Sequence, residues 1–331
     1  MLANTAWFLF GLGALIVGAE VMVRGGAEVA VRLGISPIVI GLTIVSIGTS
    51  MPELAVGVVA AGEGSGALAV GNIAGTNVVN VLLILGLSAA LVPLTLQSRT
   101  IRFELPIMAA AALLLWTLAA DGVLTRLDGA ILVGCAFVYT VAVIWSARRE
   151  SHAVVEEFAA ELVAEYATEE VGAVATKGHR TSINVAMTLG GIAVVVLGAD
   201  WLVDGAVGMA RQFGVSDALI GLTIVAIGTS APELVTTIIS TIRGDRDIAI
   251  GNLIGSSIYN ILLILGVTCL VPAQGLNLPS GLVTIDLPVM VAVALLCIPI
   301  FISGRRVTRV EGALMVAAYA AYLILLLTVR T

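Results

Sequence analysis

The sequence predicts an all-α integral membrane protein with ten transmembrane helices, folded as two inverted-topology five-helix repeats. Three observations carry that prediction. The chain is 59% hydrophobic and only 11% charged, well under the roughly 25% of charged residues in a soluble domain. One pattern occurs twice: GLTIVSIGTSMPEL with GNIAGTNVVNVLLILG over 41–86, and GLTIVAIGTSAPEL with GNLIGSSIYNILLILG over 221–266. Every equivalent pair is 180 residues apart. The third observation is the uneven distribution of basic residues over the loops.

Apolar runs of about 20 residues can cross a bilayer. Ten occur, near 5–30, 36–61, 67–92, 102–120, 124–147, 183–209, 215–241, 247–271, 282–303 and 308–329. The first lacks a basic leader and meets Glu20 where a cleavage site would sit, so it reads as a retained span. Five spans fall in 1–148 and five in 182–331. Between them lies a polar segment, 149–181, with both histidines, His152 and His179. Its acids (Glu156, Glu157, Glu161, Glu165, Glu169 and Glu170) flank an apolar face at helical spacing and read as a solvated cytoplasmic linker. They do not form a calcium-binding loop of the D-x-[DN]-x-[DN]-G type. Cys135, Cys269 and Cys297 sit in separate apolar runs and read as small core residues.

Alternating loops, counted from the end of the first span, hold 13 of the 16 basic residues. The opposite side has only Arg126, Arg211 and Arg330. Setting aside Arg24 and Arg32, which a long tilted span could contain, leaves the imbalance in the same direction. By the positive-inside rule the rich side is cytoplasmic, so both termini lie outside and the linker inside. An odd number of spans per repeat forces the second copy to enter the membrane upside down. A pseudo-two-fold axis in the membrane plane then brings the duplicated stretches together near the midplane, an architecture common among secondary transporters. Outside these stretches, 18–34 aligns with 198–214 at the same offset, matching Glu20 to Asp200; both read as interfacial or helix-pairing charge, with a gating or ion-entry role as the alternative.

Each copy places Gly-Thr-Ser, a proline and a glutamate inside an apolar run. A charge at the centre of a spanning helix costs about 2.5–3.5 kcal/mol on insertion scales. Glu53 and Glu233 therefore ask for compensation, and a bound cation supplies it. Hard cations take oxygen ligands. Thr49, Ser50, Thr229 and Ser230 offer hydroxyls one turn before the glutamates. Pro52 and Pro232 remove a backbone donor, which is expected to expose carbonyls near Ser46 and Ala226. In the following span Thr76 and Asn80, like Ser256 and Asn260, are four apart and share one face.

These paired stretches resemble the α-repeats of the calcium/cation antiporter superfamily, and most closely those of prokaryotic sodium/calcium exchangers. The GTSxPEL and GNxxGxxxxNxLLxLG patterns carry the likeness, which extends over most of the chain. The resemblance implies that Glu53 and Glu233 are bridging cation ligands and that Thr49 and Thr229 complete a calcium site. Ser50, Thr76, Asn80, Ser230, Ser256 and Asn260, with the Ser46 and Ala226 carbonyls, would then line sodium sites. Two positions depart from the family pattern: residue 260 is Asn where a number of exchangers carry an acid, and residue 76 is Thr where Ser is common. The missing acid argues against potassium co-transport.

The function so implied is antiport of Na⁺ against Ca²⁺ in a cell membrane, with the ions as cargo, the bilayer as medium, and neither cofactor nor obligate protein partner. Proton/calcium exchange on the same scaffold is the nearest alternative, since a buried carboxylate can take a proton in place of sodium. A passive cation channel is a more distant one. The net charge of −6 and the single lysine, Lys177, speak against nucleic acid. An enzyme is not expected. Histidines and lysine lie in the linker, away from Ser50 and Ser230, and no phosphate-binding G-x-x-x-x-G-K-[ST] loop occurs.

Overall fold

The computed structural model describes residues 2–33, 37–95, 100–147, 177–213, 226–302 and 305–330. They are almost entirely helical. The helices are α1 (Leu2–Leu33), α2 (Ile38–Thr49), α3 (Met51–Gly62), α4 (Gly66–Leu91), α5 (Thr100–Asp121) and α6 (Arg126–Ala147). After the linker come α7 (Lys177–Gln212), α8 (Ala226–Thr229), α9 (Ala231–Arg243), α10 (Arg246–Leu270), α11 (Leu282–Ile302) and α12 (Arg309–Arg330).

Eight of these are long and apolar enough to span a membrane among the described residues, and the bent pair α2–α3 makes a ninth. The expected span at 215–241 is described only from Ala226 on; its beginning, like 149–176 of the linker, lies outside the described residues. The end of the linker is helical: α7 starts at Lys177 and runs unbroken into the sixth expected span. Leu9, Phe10, Phe137, Val138 and Trp145 are exposed on the flanks, as a lipid-facing surface requires.

The bundle has a definite centre. α4 and α10 are buried along 78% and 83% of their apolar windows, against 17–44% in the other single-helix spans. Both belong to the duplicated stretches. α10 packs against α2 and α9, and α12 against α4. Two short antiparallel strand pairs tie the halves together at the helix ends: Leu94–Thr95 (β1) with Arg306–Val307 (β4), and Val123–Leu124 (β2) with Leu276–Asn277 (β3).

α1 and α7 form the longest helix pair. Gly11, Gly18 and Gly25 on α1, and Gly191, Gly198 and Gly205 on α7, recur every seven residues and meet the opposite backbone. A Cβ on Gly18 would stand 2.9 Å from the Val195 nitrogen, and one on Gly198 2.8 Å from the Leu15 nitrogen. Contacts descend along α7 as they ascend along α1, so the pair is antiparallel. Small residues let backbones approach where lipid offers no hydrophobic drive for helices to associate.

Candidate cation site

Both glutamates sit just after a break in a helix. Ser50 (φ −83°, ψ 9°) ends α2, and Ser230 (φ −88°, ψ 6°) stands between α8 and α9. The chain bends by 42° between α2 and α3. Pro52 and Pro232 fall in the first turn of the half-helix that follows, where a missing N–H costs least. Glu53 and Glu233 occupy that same first turn, and the positive end of the helix dipole favours their charge.

The expectation that proline frees the Ser46 carbonyl needs correcting. The Ser50 amide keeps its bond to that oxygen at 3.1 Å. The Ser256 hydroxyl donates to it at 3.4 Å, and the Thr49 hydroxyl lies within reach of it at 3.3 Å as an alternative acceptor. By helical register the donor absent at Pro52 is the one that would reach Gly48. Ala226 opens α8.

The structure buries most of the predicted residues, and its contacts link Glu53, Glu233, Thr49, Ser50 and Ser256 to one another. Glu53, Glu233, Ser46, Thr49, Ser50, Ser256, Asn80 and Asn260 are inaccessible to solvent, and Ser230 and Thr76 nearly so. Thr229 is only partly buried. The two carboxylates are near enough to repel each other. The Ser50 hydroxyl donates to Glu233 Oε1 at 3.3 Å, with Thr49 and Ser256 beside the same carboxylate. The Thr49 and Ser256 hydroxyls are 3.3 Å apart. Ser46 turns its own hydroxyl away, to the carbonyls of Gly41 (2.5 Å) and Asn252 (3.0 Å).

Several polar atoms here find no hydrogen-bond partner among the described residues: both Glu53 oxygens, Glu233 Oε2, the Ser230 hydroxyl, and both ends of the Asn80 and Asn260 amides. Buried polar groups are seldom left so. The amides share a second feature, since Asn80 and Asn260 stand at the head of π-helical segments, Val79–Leu85 and Asn260–Leu265. Such wide turns interrupt the regular backbone bonding and often mark functional sites.

Sequence reasoning missed Asn252. Its Oδ1 accepts from Thr49 at 3.2 Å while its Nδ2 donates to Thr237 at 3.4 Å. The signal was available, because Asn72 and Asn252 also repeat at the offset of 180.

No three of His, Cys, Asp and Glu cluster among the described residues. The donor set is two carboxylates with hydroxyls and amides, all oxygen, which suits hard, weakly held cations. Residues 3–145 and 183–328 match the family described as sodium/calcium exchanger protein. The sodium/calcium exchanger MaX1 of Methanosarcina acetivorans is 31% identical over 98% of both chains. The inner membrane protein YrbG of Escherichia coli is 36% identical over 82% of this chain and 81% of its own. Among solved structures, the sodium/calcium exchanger of Methanococcus jannaschii superposes with a TM-score of 0.80 at 26% identity, covering 98% of each chain. A multi-pass bundle built around a buried oxygen cluster, matched along nearly its whole length, leaves one assignment: the chain belongs to the sodium/calcium exchanger family.

Proposed function

We propose that the protein exchanges Na⁺ for Ca²⁺ across a cell membrane by alternating access to a site built on Glu53 and Glu233. The observation that carries this reading is the pair of fully buried carboxylates whose oxygens are mostly unpartnered among the described residues. Two negative charges, without a basic neighbour among the described residues of the cluster, are neutralised by one Ca²⁺ or by two Na⁺. Shared carboxylates make the cargoes compete, and competition is what couples their opposite movements.

Thr49, Thr229 and the glutamates hold Ca²⁺ in this reading. Ser50, Thr76, Asn80, Ser230, Ser256 and Asn260, with the carbonyl of Ala226, serve Na⁺; the Ser46 carbonyl, held by the Ser50 amide, drops out of the set. Asn260 is neutral, so potassium is not required. Ten spans in two inverted repeats, both termini outside and the linker cytoplasmic, complete the topology. The antiparallel pairing of α1 with α7, helices that occupy equivalent places in the two repeats, supports the inversion. These two long helices slide against the site-bearing bundle to expose it to either side.

The test is Ca²⁺ uptake into proteoliposomes loaded with Na⁺ and diluted into Na⁺-free buffer. Uptake that requires the outward Na⁺ gradient is expected. Uptake driven by a proton gradient alone would replace the counter-ion, and uptake with neither gradient would indicate a channel.

A further inference from the structure

The two copies of the repeat are unequal in the half-helix that follows each glutamate. On α9, Thr236, Thr237, Ser240 and Thr241 lie three, four, seven and eight residues beyond Glu233 and share its face. All four are buried. The equivalent positions on α3 are Val56, Gly57, Ala60 and Ala61, without a hydroxyl among them. The opposite edge of α9 is spoken for: Ala231, Val235 and Ile239 pack on Leu15 and Ala19 of α1 and on Val195 and Ala199 of α7.

The hydroxyl face is joined to the cation site through bonds already described. Thr49 donates to Asn252, and Asn252 donates to Thr237. Around Thr237 the hydroxyls of Thr236, Ser240 and Thr241 have no partner among the described residues. A hydroxyl in a membrane interior ordinarily bonds its own helix, as Ser257 and Thr268 do here; three on one helix face that do not are set for another oxygen or a cation. From Glu233 to Arg243 the helix rises about 15 Å, which is about half the hydrocarbon thickness of a bilayer. At its far end Arg243 pairs with Glu20 of α1, which also holds Arg24 at 2.8 Å. These side chains are partly exposed, so the row of hydroxyls ends at an ion pair on the surface.

We propose that this face of α9 is the route by which cations pass between the Glu53–Glu233 site and the cytoplasm, with the hydroxyls replacing lost hydration water stepwise and the Glu20–Arg243 pair at its mouth. The proposal rests on the exchange reading for the identity of the cargo, and on the loop charges for the side. The route has no mirror image along α3, so the two sides of the membrane are served by different chemistry.

Two measurements test it. Thr236→Val, Ser240→Ala and Thr241→Val, singly and combined, remove hydroxyls with little change in volume. The combined variant should lose at least ten-fold in Ca²⁺ exchange rate while equilibrium binding of ⁴⁵Ca²⁺ to detergent-solubilised protein stays within two-fold, and Thr241→Ser should behave as wild type. Separately, Ser240→Cys is treated with a membrane-impermeant cationic thiosulfonate in inverted and right-side-out vesicles, with wild type as the blank for the native cysteines. Modification from the cytoplasmic side only is expected. Unchanged exchange in the combined variant, or an introduced thiol that is unreactive or reached only from outside, overturns the route. Sided modification in a protein that moves no Ca²⁺ would keep the route and reject the cargo.

Discussion

Glu53 and Glu233 are legible in the sequence because the membrane penalises them and the chain keeps both, at one offset, with the same neighbours. Their replacement gives the sharpest prediction. Glu53→Gln or Glu233→Gln preserves volume and removes a charge that a divalent cation needs, so Ca²⁺ exchange should fall to the level of empty liposomes. The variants should still elute as a single folded species from a sizing column, since no bond that holds the bundle together is lost. Asn252 is a different kind of residue: it holds Thr49 in place without facing a glutamate in any contact described. Asn252→Ala removes one acceptor and lets the Thr49 hydroxyl turn to the Ser46 carbonyl 3.3 Å away, at a cost of about 0.5–1.5 kcal/mol for the lost bond. The expected result is a Ca²⁺ affinity weaker by about two- to twelve-fold, with the maximal rate less affected, read from exchange against Ca²⁺ concentration. The α9 hydroxyls escaped the sequence for a physical reason. Duplication exposes only what both copies keep, and a single-copy hydroxyl cannot be told from one bonded to its own helix until its surroundings are known.

Helices as units were legible by length and hydropathy, and the breaks at Ser50 and Ser230 by their Gly-Thr-Ser-x-Pro signature. The π-helical turns at Asn80 and Asn260 were not, because a change of bonding register leaves no periodic trace in so apolar a run. The reach of α7 back to Lys177 was also hidden, since charge there reads as linker whether or not the backbone is helical. Close approach of α1 and α7 is the element-level property with the clearest consequence. Gly18 has the Val195 backbone against it, and a side chain there must force the two helices apart. Gly18→Leu should lower the unfolding midpoint in detergent by several degrees, in keeping with about 1–3 kcal/mol for overpacking. Gly13, which has open space around it, is the control: Gly13→Leu should leave the midpoint within a degree or two. Equal effects at the two sites would mean that helix propensity, and not the interface, sets the stability.

For the whole molecule, the charge carried per cycle follows from the charge fixed in the site. Loop charges predict an orientation and the offset of 180 predicts the pairing of halves, but neither says how many Na⁺ ride at once. The donor set bears on that number. In the proposed exchange two Na⁺ neutralise Glu53 and Glu233, and the neutral amides of Asn80 and Asn260, both buried and unpartnered among the described residues, would offer oxygen for a third. A state with three Na⁺ carries one positive charge more than the state with one Ca²⁺, so under that occupancy each turnover that brings Ca²⁺ in would move one net charge out. A membrane potential of 100 mV contributes about 2.3 kcal/mol to such a step. In Na⁺-loaded proteoliposomes, an inside-positive potential imposed with K⁺ and valinomycin should therefore raise Ca²⁺ accumulation, and an inside-negative one should depress it. Accumulation that ignores the potential would fix two Na⁺ per Ca²⁺, and would mean that the amides order water or shape the site without carrying an ion.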